Sequence, residues 1–399
     1  MLFIIAKHFF APIVMLNPKS LHLVVNKKIT FALLTISTLC YTSHSAAISA
    51  TEALASEYAK QVYQDGQAQA MAMVVIHGDE RYFFSHGETI KGNGKLPRPN
   101  SLIRIASITK PIVSEVLVNL ANENIINLND PLQKYAPQGK KVPLVNQEKP
   151  ITLLSLAMHT SGLPREQPNK PQKKPVFTWP TQNDRWKWLN TATPKAAAFD
   201  EVSYSNLGYD LLADALSQAT GRSFHDLLKT YIFIPNQMHN TTLTPTQAQC
   251  NTLMKGFNAG PCMDNTAAHG SGGIYSTPED IGNWMQGFLS NSKRPAKPLT
   301  DQLLWTGFKR YQFLEIIGMD VPGQAAEFGL GWVVLDPEPI LGTPRIIQKT
   351  GGGGGFVTYM ALIPEKNIGV FTVVTRTQNS KFKGMSNNVN QLVAKLSDL

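Results

Sequence analysis

The spacing of apolar residues changes period along the chain, and the changes mark out its elements. Ser56 to Gln64 has helical spacing, and Ala70 to His77 is a run of β-forming residues closed by Gly78-Asp79. The apolar pattern resumes at Tyr82 to Ser85, so the two runs predict a β-hairpin. Ser107 to Asn122 predicts a helix, with Ile108, Ile112, Val116 and Leu120 on one stripe. Pro111 falls in its first turn, where a missing N–H does little harm. From Leu128 to about Ala267 the pattern is mainly helical and broken by Pro-rich loops; Ser203 to Ala219, with Leu207, Leu211, Leu212 and Leu216, is one such helix. Beyond Ala268 come Gly-rich turns, a helix from Pro278 to Leu289, and strand-like runs at Gly331–Leu335, Arg345–Lys349, Phe356–Ile363 and Ile368–Thr375. A helix from Met385 to Leu396 closes the pattern.

Strand-forming segments therefore lie toward both ends, with helices between them. This predicts an α/β (α+β) fold: an antiparallel sheet from N- and C-terminal parts, flanked by helices, with an inserted all-α region. The α/β part spans about 48–127 and 268–399 and the helical part about 128–267. The chain has 399 residues, 43% of them hydrophobic and 16% charged, an ordinary globular balance. No internal repeat is visible.

The first 47 residues read as an export signal. Lys27 and Lys28 precede an apolar run from Ile29 to Tyr41, and Ser45-Ala46-Ala47 offers small residues for cleavage after Ala47. The apolar run is too short to span a membrane comfortably, and Met15 is an alternative start. Removing residues 1–47 takes away four lysines and no acid, so the formal net charge falls from +9 to +5. That charge suits an anionic surface, and no nucleic-acid motif accompanies it. The basic stretch Lys170 to Lys174 is Pro-rich and reads as a solvated loop. Cys250 and Cys262, in an Asn/Gly/Pro-rich segment, are either disulfide partners in an oxidising compartment or two buried thiols. Too few ligands surround them for a metal site.

Three short motifs carry chemistry. Ser107-Ile108-Thr109-Lys110 is an S-x-x-K at a helix start, where residues three apart share a face and the lysine reaches the serine hydroxyl. A desolvated lysine can take the serine proton, and helix N–H groups can face a developing anion. By itself such a tetrapeptide equally describes a cap followed by a surface lysine. Tyr204-Ser205-Asn206 offers a phenol to relay protons and an amide to hold a peptide. Lys349-Thr350-Gly351 ends a strand-like run whose edge can pair with an extended peptide. Gly351 to Gly355 follow either for close backbone approach or as a flexible turn. His159 reads as a loop tie rather than a base, and Trp179, Trp186 and Trp188 as packed aromatics rather than a sugar-binding groove.

In this order and at these separations, the three motifs resemble the signature of the β-lactamase and penicillin-binding protein family. The Tyr-Ser-Asn element is similar to the class C form. Leu156–Pro164 (LAMHTSGLP) and Gly270–Pro278 (GSGGIYSTP) resemble scaffold phrases of that family. Arg104–Ser107, Leu163–Pro168 and Gln348–Gly355 resemble its D-alanyl-D-alanine carboxypeptidase/endopeptidase branch, over about Ala70 to Leu396. The resemblance implies a β-lactamase/transpeptidase-like fold and a periplasmic serine peptidase acting on peptidoglycan peptides and bound by β-lactams. It implies Ser107 as nucleophile, Lys110 and Tyr204 as proton-transfer partners, and Asn206, Lys349, Thr350 and Gly351 as substrate-binding residues. The backbone N–H groups of Ser107 and Gly352 would form the oxyanion hole. Cys250 and Cys262 fall in register with the branch, which implies a bridge. It implies neither cofactor nor metal and no nucleic-acid partner, and it leaves peripheral association with the inner membrane open. A class C β-lactamase and a small-ester esterase are the alternatives; esterase relatives often lose the lysine that stands here as Lys349.

Overall fold

The computed structural model describes residues 48–399 apart from 145–148, 169–178, 195, 290–307, 310–315, 318–324 and 340–341. The signal-like segment and the Lys170–Lys174 stretch therefore lie outside the described residues.

The chain enters through α1 (Ala50–Asp65), capped by the Ser49 hydroxyl, which accepts from the Glu52 N–H. It then forms the hairpin β1 (Ala68–His77) and β2 (Glu80–Gly87). β3 (Ile103–Arg104) leads through a 3₁₀ turn, Ala106–Ile108, into α2 (Thr109–Asn122). The central region carries α3 (Leu153–Ala157), α4 (Gln182–Leu189), the two-residue β4 (Val202–Ser203), α5 (Asn206–Thr220), α6 (Phe224–Leu228) and α7 (Gln247–Cys250). After β5 (Tyr275–Ser276) and α8 (Pro278–Gln286) come β6 (Phe308–Lys309), β7 (Ile316–Ile317), β8 (Ala325–Phe328) and β9 (Val333–Leu335). Three long strands, β10 (Ile346–Gly353), β11 (Phe356–Ile363) and β12 (Ile368–Arg376), precede the last helix, α9 (Phe382–Leu396).

The main sheet runs β2-β1-β12-β11-β10-β9-β8-β6 and is antiparallel throughout. β1 pairs with β12 from Ala68↔Arg376 to His77↔Ile368, so opposite ends of the chain share one sheet, as the pattern predicts. Residues of both parities are buried along β1 and β12, because helices cover both faces: α1 and α9 pack on this sheet and on each other, and α8 packs on β1 and β12. This is why those strands read as continuous apolar runs rather than alternating ones.

Differences from the sequence reading are local. α2 begins at Thr109, two residues late, because Ala106 sits at φ +47° and Ser107 lies in the 3₁₀ turn. α5 begins at Asn206 rather than Ser203, since Ser205 is its N-cap, its hydroxyl accepting from the Gly208 N–H at 2.8 Å. α8 stops at Gln286. The central region also holds β4, which pairs in parallel with β7. Cys250 and Cys262 are bridged.

Candidate active site

Ser107 is half-buried while the residues flanking it on both sides are buried. Ala106 holds the left-handed conformation just before it, at a cost of about 1–2 kcal/mol for a residue with a Cβ. The turn is clamped on two sides. β3 pairs with β5 through Ile103↔Ser276 and Arg104↔Tyr275, and the Thr358 hydroxyl of β11 donates to the Ile105 carbonyl at 3.1 Å. The buried Arg104 guanidinium donates to the Gly260 and Pro261 carbonyls and stacks over Tyr275, tying the disulfide-closed loop to the same strand.

Ser107 Oγ accepts from Lys110 Nζ at 3.1 Å and from Tyr204 Oη at 2.7 Å. Lys110 is fully buried, and its ammonium also donates to Asn206 Oδ1 at 2.7 Å and to the Ser271 carbonyl at 2.6 Å. Burial pulls its proton affinity down to a pKa of about 7, against the opposing pull of Asp210 and Glu166. Much of it is therefore neutral near pH 7. In that state its two N–H bonds go to Asn206 and Ser271, and its lone pair is left facing Ser107, as a general base requires.

Asn206 is held at both ends of its amide. Oδ1 takes Lys110, Nδ2 donates to Glu166 Oε1 at 2.6 Å, and its backbone N–H donates to the Arg165 carbonyl. Three basic side chains surround the Tyr204 ring: Lys110 Nζ at 4.8 Å from the centroid, Arg165 at 4.9 Å and Lys349 Nζ at 5.5 Å. His159 packs on the same ring at 4.4 Å and its Nδ1 accepts from the Ser205 N–H, so it ties the Tyr204 segment down. Burial first, then the nearby Lys110, Lys349 and Arg165, keep this imidazole neutral.

β10 brings the third motif to the nucleophile. A Cβ on Gly351 would lie 2.7 Å from the Ile105 carbonyl oxygen and 3.1 Å from the Ser107 nitrogen, so the close-approach reading applies to this glycine. The turn reading applies to Gly354 and Gly355, at φ +63° and +81°. Lys349 and Thr350 are buried and Gly352 is exposed. β10 pairs with β11 from Ile347 to Gly353 but with β9 only from Ile346 to Gln348, so past Gln348 its second edge is not taken by β9. Such an edge, beside a nucleophile, can receive an extended peptide.

Sequence reasoning missed a buried charged layer beneath the site. Asp214 takes both Arg185 Nε and Nη2 at 2.6 Å, Trp186 Nε1 at 3.0 Å and His269 Nε2 at 3.0 Å. Burial opposes its ionisation, but Arg185 and His269 outweigh that and hold the carboxyl below its ordinary range. Trp186 thus belongs to the core, and Trp188 packs against it. One turn away, Asp210 accepts from Gly270 and Ser271. The signal was two aspartates four apart in the otherwise apolar stretch LGYDLLADAL. Among the described residues no group of three His, Cys, Asp or Glu side chains converges as a metal site would need, and no helix is long and apolar enough to cross a membrane.

Residues 54–394 match the Beta-lactamase family profile. The chain is 50% identical over 345 residues to the D-alanyl-D-alanine-carboxypeptidase/endopeptidase AmpH of Escherichia coli K12, covering 86% of this chain and 89% of that protein. It superposes with a TM-score of 0.84 on a β-lactamase/D-alanine carboxypeptidase from Yersinia pestis solved with citrate, at 53% identity, covering 87% of this chain and 98% of that one. A class C β-lactamase at 18% identity, with a TM-score of 0.71 and coverage of 88% and 98%, shares the fold.

Proposed function

This chain belongs to the β-lactamase family, and from that premise we propose that it is a periplasmic serine DD-peptidase, a D-alanyl-D-alanine carboxypeptidase and endopeptidase that cuts peptidoglycan peptides through a Ser107 acyl-enzyme. The observation that carries the reading is the placement of Ser107 Oγ within hydrogen-bond reach of both Lys110 and Tyr204, beside the β10 edge that β9 leaves open. The names of the two relatives at 50% and 53% identity agree with it.

The arrangement supports a serine acyl transfer. An extended peptide pairs with β10, its terminal carboxylate toward Lys349 and Thr350 and its acyl side toward Asn206. Ser107 Oγ attacks the carbonyl of the penultimate D-alanine and its proton passes to neutral Lys110. The oxyanion that forms takes the N–H groups of Ser107 and Gly352, worth roughly 3–4 kcal/mol per donor in comparable hydrolases. The C–N bond then breaks, and the proton held by Lys110 passes through Tyr204 to the leaving amine. That amine is free D-alanine in the carboxypeptidase mode and a neighbouring stem peptide in the endopeptidase mode. Water releases the acyl group by the same proton route in reverse. A β-lactam carbonyl meets the same serine, so penicillins acylate it as well. The signal-like residues before Ile48 and the Cys250–Cys262 bridge support the periplasm as the compartment.

Incubating the mature protein with pentapeptide monomers and cross-linked dimers, followed by mass spectrometry, tests the reading. Loss of terminal D-alanine and cleavage of dimers is expected. Intact fragments alongside hydrolysed penicillin would make the protein a β-lactamase instead.

A further inference from the structure

Asp210 belongs to none of the three motifs, yet it is joined to Lys110 through Ser271, much as Glu166 is joined to it through Asn206. It is buried, and both its oxygens bind one turn: Oδ1 accepts from the Gly270 and Ser271 N–H groups at 3.0 and 2.9 Å, and Oδ2 accepts from the Ser271 hydroxyl at 3.0 Å. The carbonyl of that same Ser271 takes a Lys110 N–H at 2.6 Å. The turn packs directly on α5, since a Cβ on Gly270 would lie 2.0 Å from the Tyr209 carbonyl oxygen. α5 thus carries Asn206, one Lys110 acceptor, at its start, and Asp210, which holds the other, one turn later.

We propose that Asp210 is a positioning residue for acyl transfer: it pins the Ser271 carbonyl against Lys110 and sets a buried carboxylate behind that contact. The inference rests on the serine acyl-transfer reading above. The charged and titratable groups facing Lys110 are Asp210 and Glu166 on the acidic side, Arg165 on the basic side, and Tyr204, Tyr209 and His159 as rings, with Lys349 also against the Tyr204 ring. Around Asp210, burial first and then Asp214 raise its proton affinity, while Arg185, His269 and the Ser271 hydroxyl pull it back; the three donors on its oxygens favour the carboxylate. Burial lowers the proton affinity of Lys110, and Asp210 is the largest influence in the other direction. An anion favours the ammonium form, so removing it lets the lysine deprotonate at lower pH.

Asp210→Asn separates charge from shape. Its remaining oxygen can still accept from the Gly270 and Ser271 N–H groups, and its NH₂ can donate to the Ser271 hydroxyl. The experiment is the pH profile of acylation by benzylpenicillin, read by intact-protein mass spectrometry for the wild type, Ser107→Ala and Asp210→Asn. The wild-type acid limb is expected near pH 7, and that of Asp210→Asn at lower pH, because loss of the carboxylate disfavours the ammonium form. An unmoved limb in folded Asp210→Asn, whatever its rate, overturns the inference, since a merely structural role scales the profile without shifting it. If the wild type is not acylated, or Ser107→Ala is, the serine reading fails instead. Should Asp210→Asn not fold, Ser271→Ala removes only the contact to Oδ2. It is expected to lose acylation several-fold with the limb in place, and unchanged acylation overturns the inference.

Discussion

Gly351→Ala is the sharpest test of how β10 and the nucleophile turn fit together. The new methyl would lie 2.2 Å from Thr358 Oγ1, 2.7 Å from the Ile105 carbonyl oxygen and 3.1 Å from the Ser107 nitrogen. The threonine hydroxyl can rotate away, though it then surrenders its hydrogen bond to the Ile105 carbonyl. The carbonyl cannot rotate: it sits between paired β3 and the strained Ala106. Ordinary contact begins at 3.4 Å, so β10 must draw back from the Ser107 turn by about 0.7 Å. Overpacking of this kind costs about 1–3 kcal/mol of stability. The same retreat moves the Gly352 N–H away from the Ser107 N–H with which it would share an oxyanion, and a displacement near 1 Å costs on the order of 10²-fold in rate. The assay is the second-order rate of penicillin acylation alongside urea denaturation. Gly352→Ala is the stability control, because its Cβ would meet nothing within 4 Å, and its unfolding should stay within about 0.5 kcal/mol of wild type. Wild-type acylation and stability in Gly351→Ala would refute the close-approach argument.

Other expectations follow from the same contacts. Tyr204→Phe removes a hydroxyl 2.7 Å from Ser107 Oγ and should slow acylation about 10²–10⁴-fold, the usual weight of a proton-transfer group, with little change in melting temperature. Asp214→Asn takes the carboxylate from buried Arg185 and from partly buried His269 and should cost about 3 kcal/mol in urea unfolding. Its carboxyl sits below its ordinary range in the folded state, so the wild type should lose that stability as pH falls through the acidic range, a loss missing from Asp214→Asn. Replacing Cys250 and Cys262 together by serine opens a loop of sequence separation 12 and should cost about 3 kcal/mol by loop entropy.

The shared sheet and the three motifs were legible because each leaves a local mark: β-forming runs toward both ends, and short polar signatures at element boundaries. Ser107, Lys110, Tyr204 and Asn206 meet because the first two share one turn and the others flank Ser205, the N-cap of α5. Boundaries were off where a backbone conformation overrode the pattern. Ala106 in the left-handed region delays α2, and Ser205 gives its hydroxyl to capping rather than to the helix. Glu166 and Ser271 lie within phrases the resemblance singled out but gained no role there, because their roles depend on contacts across long stretches of chain, to Asn206 and to Lys110. Asp210 and Asp214 did leave a trace, two acids on an apolar helix, but only the fold reveals that one faces the Ser271 turn and the other Arg185.

The central claim is that Ser107 carries the acyl group. The most direct measurement is peptide mapping by mass spectrometry after brief exposure to benzylpenicillin. One penicilloyl group on the peptide containing Ser107, absent from Ser107→Ala, is the predicted result. A label on any other residue, or a label that persists in Ser107→Ala, would contradict it.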